Sequence, residues 1–406
     1  MNAPLVSFCI PTYNRSRYLD SLLQSLSDHL AAFPFSHEVF ISDNASTDET
    51  PEVVARYADR LPLRSVRHET NRGGRANYQY MMAQAKGRYV IYVADDDCVM
   101  GAEVARAIEV MEANPHIGIA YAPWRLLDLV ADKDLGQFYR QDRDVLVPQG
   151  EHRVLLDTLL RYGIWPEIYI CRREMVQSVM PRIHEQAYYA FVHASEFVEH
   201  SAVLFMKDSY YVSMTNYFAD HQRVQGGTEE AEMAWDRYRS GLEYILGRAS
   251  GQVTDMERMG FLLRIQDLVA DRIATAVRLR MHNARDPVET YYLAYRLKAL
   301  GGEARLPVAL STLRLLGVMG FLADDPELNR DVTDLVCLGT FEPDLRDLIV
   351  SKVKHTPRFV AHAGQLERLG GNTLVFARGN ATADVLPPGS SARFVSEQQL
   401  MTKFPV

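Results

Sequence analysis

The sequence has few cysteines and no excess of positive charge. Its four cysteines, Cys9, Cys98, Cys171 and Cys337, are widely separated and form no CxxC pair, so they indicate neither a zinc site nor a disulfide framework. The formal net charge is -8, with 44 lysines and arginines against 52 aspartates and glutamates. Because nucleic-acid affinity rests on many Lys and Arg contacts with phosphates, we expect no nucleic-acid partner.

Long apolar runs are also missing. The most apolar stretch, residues 306–323, is near the lower length limit for crossing a bilayer and carries Pro307 and Arg314. We interpret it as a buried or interfacial helix. The apolar run at 5–10 is too short for a signal peptide and lacks a basic segment before it, which favours a first strand. The sequence therefore predicts a cytoplasmic protein with at most peripheral membrane contact.

Residues 5 to about 122 alternate short β-rich runs with helical periods, which is typical of parallel βαβ units. The predicted strands are 6–10, 39–42, 63–68, 89–93 and 117–121, and the predicted helices are 16–33, 50–60, 75–85 and 102–113. Gly87 is expected to close the third helix. Residues 123–150 are predicted to be irregular, as a loop over a cleft.

From residue 228 onward the pattern changes to long helical periods, at 229–246, 255–280, 287–300, 308–322 and 328–336. We therefore predict three parts: an α/β catalytic domain at 1–227, a helical domain at 228–370 that presents an acceptor or forms a homo-oligomer, and a tail or small β element at 371–406.

Polar residues follow the first two predicted strands. Pro11, Thr12 and Asn14 end the first strand, and Asp43 ends the second. Ligands of open α/β sheets bind at the carboxyl ends of the strands, so this edge is expected to hold a nucleotide, with Asp43 accepting from a ribose or base. Asp48 is interpreted as a helix-capping residue.

Three carboxylates, Asp95, Asp96 and Asp97, follow the apolar strand at 89–93. Adjacent carboxylates repel one another unless a cation or several donors compensate them. Oxygen ligands suit Mg²⁺ or Mn²⁺, and such an ion would also bridge the oxygens of a diphosphate. The run predicts a divalent metal site.

Together these segments resemble the family-2 glycosyltransferases. The resemblance covers residues 5 to about 225, and its motifs are Cys9-Ile10-Pro11-Thr12-Tyr13-Asn14-Arg15, Ser42-Asp43-Asn44-Ala45-Ser46-Thr47-Asp48, Asn71-Arg72-Gly73-Gly74 and Asp95-Asp96-Asp97. It implies a GT-A fold, a nucleotide-diphosphate sugar donor, inversion at the anomeric carbon, and metal binding by the aspartate run.

The resemblance also implies residue roles. Asp96 matches the position that meets the metal, Asp95 would face the ribose or the metal, and Asp97 would be a further ligand. Because Ala94 stands where the family commonly has its first aspartate, an Asp95-x-Asp97 register stays open. The donor loop would comprise Pro11, Thr12, Tyr13 and Asn14. Further contacts are expected from Arg75 near a helix start, from His221 as a metal ligand, and from Arg223 on the diphosphate.

An inverting transfer needs a carboxylate base near the acceptor hydroxyl. The family often has a Glu-Asp pair there, which this sequence lacks. Glu185, at the start of a predicted helix over 186–200, is the first candidate, followed by Glu196 and Glu199.

The sequence therefore predicts a metal-dependent glycosyltransferase that acts on a carbohydrate, lipid-linked or other hydroxyl acceptor, as in surface polysaccharide synthesis. Two alternatives stay open. A sugar-phosphate nucleotidyltransferase would normally carry a glycine-rich first loop, and a non-catalytic nucleotide-binding scaffold would explain the missing Glu-Asp pair.

Overall fold

The computed structural model describes residues 3–179, 186–220, 231–233 and 235–403. The chain divides into two compact units, one formed by Met1–Gln225 and Asp236–Leu268, the other by Gly226–Trp235 and Val269–Val406. The predicted boundary at 227/228 lies outside the described residues.

The first unit is built on strands and helices that alternate along the chain. Its strands are β1 (Val6–Thr12), β2 (His37–Asp43), β3 (Leu63–Arg67), β4 (Tyr89–Tyr92), β5 (Cys98–Val99), β6 (Ile117–Tyr121), β7 (Trp124–Asp128), β8 (Lys133–Gln137), β9 (Val145–Val147), β10 (Tyr169–Arg172), β11 (Ala202–Phe205) and β12 (Tyr211–Asn216). Its helices are α1 (Ser16–His29), α2 (Thr50–Arg56), α3 (Gly74–Gln84), α4 (Gly101–Ala113), α5 (His152–Tyr162), α6 (Arg173–Val179), α7 (Tyr189–His200) and α8 (Trp235–Arg248). Helix α9 (Asp255–His282) contributes residues to both units.

The main sheet has eight strands in the order β3-β2-β1-β4-β10-β6-β11-β9. Strand β1 pairs in parallel with β2 and β4, while β10 runs antiparallel between β4 and β6. A second sheet has the order β5-β12-β7-β8. This is the mixed α/β architecture expected of a GT-A fold, and it brings the carboxyl ends of β1, β2 and β4 to one edge.

Local sequence explains the central elements. Residues 6–10 of β1 are fully buried, as a strand covered on both faces requires. Helix α1 buries Leu19, Leu22, Leu23 and Leu26, which recur at helical spacing and so form one apolar stripe. The predicted strands of this region are confirmed to within two residues, and the predicted helices begin within one residue of their observed starts.

Two expectations for the first unit are wrong. Residues 123–150 contain strands β7, β8 and β9 rather than an irregular loop. The side chains of β8 are largely exposed, so the strand lacks the alternation that would have revealed it. Gly87 does not cap α3, which ends at Gln84 with Ala85 as its C-cap. Instead, a Cβ at Gly87 would lie 2.5 Å from the Ser7 backbone nitrogen, so close strand packing requires glycine there.

The second unit combines helices with a small parallel sheet. Its further elements are α10 (Pro287–Ala299), α11 (Leu310–Asp324), β13 (Asp334–Leu338), α12 (Pro343–Lys352), β14 (Arg358–Val360), β15 (Thr373–Ala377), β16 (Arg393–Ser396) and α13 (Glu397–Lys403). The sheet order is β14-β13-β15-β16, with every pairing parallel.

Two predictions for this unit require correction. The helical prediction for 328–336 is wrong, because β13 begins at Asp334, and a short apolar run cannot be assigned to helix or strand by periodicity alone. A division at 371 would also separate β13 and β14 from β15 and β16, which form one sheet. The interpretation of 306–323 as a buried or interfacial helix is confirmed from Leu310 onward by α11, which buries Leu313, Val318 and Leu322. No helix in the part of the chain that the structure describes is long and apolar enough to cross a membrane.

Candidate functional site

The carboxyl edge of β1, β2 and β4 brings the predicted motifs together. Thr12 is in register with Asp43 at the end of β2, and its Oγ1 donates a hydrogen bond of 2.8 Å to Asp95 Oδ2. Parallel strands end at the same side of a sheet, which is why residues 83 positions apart meet here. The loop after β1 and the aspartate run therefore form one cluster.

All three carboxylates of the aspartate run are buried, with exposed fractions of 7% for Asp95, 3% for Asp96 and 8% for Asp97. Arg15 supplies a positive charge to two of them. Its Nη1 lies 3.4 Å from Asp95 Oδ1 and forms a closer ion pair with Asp96 Oδ2. Because buried carboxylates need a compensating charge, Arg15 stabilises the run in this state.

Asp97 is held differently. Its Oδ2 accepts a hydrogen bond of 2.9 Å from the Tyr211 hydroxyl, and its Oδ1 accepts one of 3.0 Å from the Met214 backbone N–H. The same Tyr211 oxygen accepts from the Ala94 N–H at 3.0 Å. Burial raises the pKa of Asp97 to about 6, although these hydrogen bonds act to lower it. Both carboxylate oxygens are thus engaged by β12.

The donor set suits a divalent cation only in part. Within the described ranges, no three His, Cys, Asp or Glu side chains form a group that could hold a metal by themselves. Mg²⁺, however, is usually bound by one or two carboxylates together with water and substrate phosphates. Asp95 and Asp96, which already share one cation in Arg15, fit that mode.

Asp43 lies beside this cluster and is buried. Its Oδ1 accepts a hydrogen bond of 2.9 Å from the Ser46 N–H, and its Oδ2 lies 3.6 Å from Arg67 Nε. Arg67 is more than half exposed, and together with the Ser46 N–H it orients the buried carboxylate of Asp43. Asp43 is therefore placed to accept from a ligand hydroxyl or N–H.

The loop after β1 is tied to the loop after β2. Asn14 has a left-handed backbone (φ 53°), its N–H donates to Ser46 Oγ at 2.9 Å, and its Oδ1 accepts from the Thr47 N–H at 2.7 Å. Pro11 pairs with Ser42 within the sheet, while Tyr13 is 42% exposed. Much of the bonding capacity of Asn14 is used to shape the loop, and Tyr13 is the more accessible side chain.

Asp48 has the capping role that its position predicted. Its Oδ2 accepts from the Ser16 N–H at the start of α1, and its Oδ1 accepts from the Thr50 N–H at the start of α2. Burial alone would raise the pKa of Asp48, but the hydrogen bonds from Thr50 and Ser16 lower it below its usual value.

The glycine-rich segment joins the same edge through asparagines. Asn44 Nδ2 donates to Asn71 Oδ1 at 2.8 Å, and Asn44 Oδ1 accepts from the Arg72 N–H at 2.9 Å. This fixes the turn that precedes α3, where Arg75 lies exposed in the first helical turn. Arg75 is thus accessible on the side of the sheet that carries Asp43.

Glu196 is buried in α7 and faces two residues of α8. Its Oε1 accepts a hydrogen bond of 2.5 Å from the Tyr244 hydroxyl and one of 3.2 Å from Arg248 Nη1. Arg248 also pairs with Glu199 at 2.7 Å. Because one oxygen of Glu196 is already engaged by two donors from α8, these contacts favour a structural role for it. Glu185, His221 and Arg223 lie outside the described residues.

Two residues that contact the aspartate run were missed as site candidates. Arg15 follows the donor loop directly and could have been found from the charge that three neighbouring carboxylates require. Tyr211 had no local signal, because it reaches the aspartate run from a strand more than 110 positions away.

Replacing Tyr211 tests this connection. Tyr211→Phe leaves the Ala94 N–H and one Asp97 oxygen without their partner, so we expect a loss of about 1 to 3 kcal/mol in unfolding free energy and weaker binding of nucleoside diphosphate. The matched control is Tyr210→Phe, whose buried hydroxyl donates to the Ala120 carbonyl instead. Urea unfolding measures the stability of each variant, and calorimetry measures its nucleotide affinity. Equal nucleotide affinity for the two variants would show that Tyr211 is only a packing residue.

Part of the chain that carries this site is similar to known proteins. Residues 7–159 match the family model described as Glycosyl transferase family 2. The abequosyltransferase RfbV of Salmonella typhimurium is 38% identical over 97 residues, which are 23% of this chain and 29% of that protein. The poly(ribitol-phosphate) beta-N-acetylglucosaminyltransferase TarS of Staphylococcus aureus is 37% identical over 95 residues, 23% of this chain and 16% of that protein.

Among solved structures, TarS 1–349 of S. aureus with UDP-GlcNAc aligns with a TM-score of 0.44 and 18% identity, covering 73% of this chain and 89% of that one. The chain spans well under half of the length of the curated relatives that it matches. The matched segment runs from within β1 to within α5 and therefore includes all four motifs of the carboxyl edge. Residues 7–159 of this chain are accordingly similar to glycosyl transferase family 2.

Proposed function

We propose that this protein is a metal-dependent, inverting glycosyltransferase that uses a nucleotide-diphosphate sugar as donor. The observation that carries the proposal is the cluster of Thr12, Arg15, Asp95 and Asp96 beside Asp43, at the carboxyl edge of parallel strands. In open α/β sheets, ligands bind outside the carboxyl ends of the strands, which is where this cluster lies. The family match over the same residues supports the same reaction class.

Each residue of the cluster has a proposed task. Asp43 accepts from the ribose or base, while Tyr13 and Arg75 are the accessible side chains for the rest of the donor. Asp95 and Asp96 would hold Mg²⁺ or Mn²⁺, which when bound neutralises charge on the departing diphosphate. Asp97, engaged by Tyr211 and Met214, anchors the run to β12. Arg15 balances the carboxylates and would be a further contact for the same diphosphate.

The transfer proposed here is a single displacement. A base removes the proton from an acceptor hydroxyl, the oxygen forms a bond to the anomeric carbon, and the bond from that carbon to the diphosphate oxygen breaks. Inversion follows from attack opposite the leaving group. Glu185 stays our candidate for the base, His221 for a further metal ligand and Arg223 for a diphosphate contact, whereas Glu196 is assigned to its ion pair with Arg248.

The acceptor is proposed only by class, as a carbohydrate, lipid-linked or other hydroxyl in surface polysaccharide synthesis. Two relatives with matching segments are named as an abequosyltransferase and a poly(ribitol-phosphate) glycosyltransferase, which is consistent with that class. A cytoplasmic location, a homo-oligomeric state and a role of the second unit in acceptor presentation stay predictions. Cell fractionation and size measurement in solution test them.

A donor panel tests the reaction. Nucleotide-diphosphate sugars are incubated with the protein and Mn²⁺, and the released nucleotide is identified. Release of nucleoside diphosphate supports glycosyl transfer, formation of nucleoside triphosphate when pyrophosphate is added supports a sugar-phosphate nucleotidyltransferase, and binding without turnover of any donor supports a scaffold. Each result separates one alternative from the other two.

Asp43→Ala tests nucleotide recognition. We expect it to weaken binding of both the free nucleoside diphosphate and the sugar donor by about tenfold, because one charge-assisted hydrogen bond is worth roughly 1.5 to 3 kcal/mol. Calorimetry with both ligands is the measurement, and Asp59→Ala, which removes an exposed carboxylate of the same unit, is the control. An effect on the sugar donor alone would contradict the assignment.

A further inference from the structure

A cavity of about 780 Å³ opens at the other end of the main sheet, where the parallel strands begin. Its lining residues stand just before strands β1, β2, β4 and β6, with Arg172 at the end of the antiparallel β10. The candidate donor site lies instead where β1, β2 and β4 end. Since β1 has seven residues, at ~3.3 Å each the two edges are roughly 20 Å apart. The cavity is therefore separate from the donor site.

The lining of this cavity is strongly basic. Lys86, Arg88, Arg172 and Arg173 contribute four cationic side chains, and Glu174 is the acidic residue among the lining residues. The whole chain has a net charge of -8, so the positive charge here is a local concentration. Cations crowded around a cavity repel one another and attract an anion of matching size.

One of these cations is held rigidly. The Arg172 residue is 7% exposed, its Nε donates to the Ile117 carbonyl at 3.0 Å, and its Nη2 donates to the Met111 carbonyl at 2.8 Å. Glu112 offsets part of the charge, because it pairs with Arg88 at 3.0 Å and lies 4.0 Å from Arg172. Lys86 and Arg173 add two exposed cations to this fixed base.

We propose that the cavity binds a phosphate-bearing anion through Lys86, Arg88, Arg172 and Arg173. Guanidinium groups match phosphate oxygens in geometry as well as charge. The volume falls within the range of about 300 to 1,000 Å³ that is usual for small-molecule sites, so a diphosphate group fits, whether it is free or carried by a lipid headgroup.

Inorganic pyrophosphate is the probe for this site. It is titrated by calorimetry into the full-length protein in EDTA at low salt, so that a metal-bridged donor site does not contribute. We expect saturable binding that Lys86→Ala/Arg173→Ala weakens by at least about tenfold, because the double substitution removes two of the four cations that would make charge-assisted contacts with phosphate. The control Arg56→Ala/Arg60→Ala removes two exposed charges from the end of α2 and should leave the affinity unchanged.

Three results would overturn the proposal: no saturable binding, equal weakening by the control pair, or loss of binding in Asp96→Asn, which would place the pyrophosphate in the donor site. Sedimentation with vesicles then separates the sources of the phosphate. If the wild type, but not the double variant, sediments with phosphatidylglycerol vesicles, the bound phosphate belongs to a lipid headgroup. A wild type that binds pyrophosphate and stays in the supernatant assigns a soluble ligand.

Discussion

Asp96→Asn is expected to lower glycosyl transfer by roughly 100- to 1,000-fold, which is the usual cost of removing one preorganised electrostatic contact to developing charge. The substitution keeps the shape of the side chain and removes the charge that pairs with Arg15. It should also abolish the difference between nucleotide affinities measured with Mn²⁺ and with EDTA. Nucleoside diphosphate release and calorimetry are the two measurements.

The control for this prediction is Asp59→Asn, an exposed carboxylate in the loop after α2. It should leave both turnover and metal dependence unchanged. The metal assignment fails if the wild type binds nucleoside diphosphate equally well in EDTA, or if a folded Asp96→Asn protein retains the metal dependence. Asp97→Asn distinguishes a metal site that uses Asp96 from one that uses Asp95 and Asp97. If Asp97 only anchors the run, the main effect of the substitution is on stability, through the loss of charge facing Tyr211 and Met214.

Glu38→Gln is expected to destabilise the first unit by about 2 to 3 kcal/mol, below the usual cost of breaking a buried ion pair because Arg64 is partly exposed. Glu38 is buried in β2, accepts from Arg64 Nε at 2.8 Å and from the Lys86 N–H at 2.9 Å, and also accepts from the Ser7 hydroxyl. Urea unfolding followed by the fluorescence of the buried Trp124 and Trp165 reports on this unit.

The same carboxylate predicts a pH dependence. Burial acts to raise the pKa of Glu38, but the bonds from Arg64, Ser7 and Lys86 lower it below its usual value of 4.5. A depressed folded pKa adds stability above the unfolded pKa, and this stability is lost as the pH falls below 4.5 and through the folded pKa. Glu38→Gln should flatten that part of the stability curve. Glu52→Gln, on the exposed face of α2, should leave it unchanged.

The predictable part of the fold is the part with strong local periodicity. Strands β1, β2 and β4 are buried along most of their length, and α1 carries an apolar stripe, so their patterns are visible without any partner. The strands β7 and β8 are different, because an exposed strand is stabilised mainly by the backbone hydrogen bonds of its neighbours. The helical prediction for 328–336 was wrong for a related reason, since a short apolar run fits both a helix and a strand.

The sequence by itself determined which chemistry gathers at the carboxyl edge: an acidic strand end at Asp43, a polar loop after β1, and three adjacent carboxylates that demand compensation. Only the tertiary structure decided how that demand is met, with Arg15 paired to Asp95 and Asp96, and Tyr211 and Met214 bonded to Asp97. Local sequence specifies periodicity and charge density, whereas the partner of a buried charge depends on strand pairing, which here joins segments 80 to 117 residues apart.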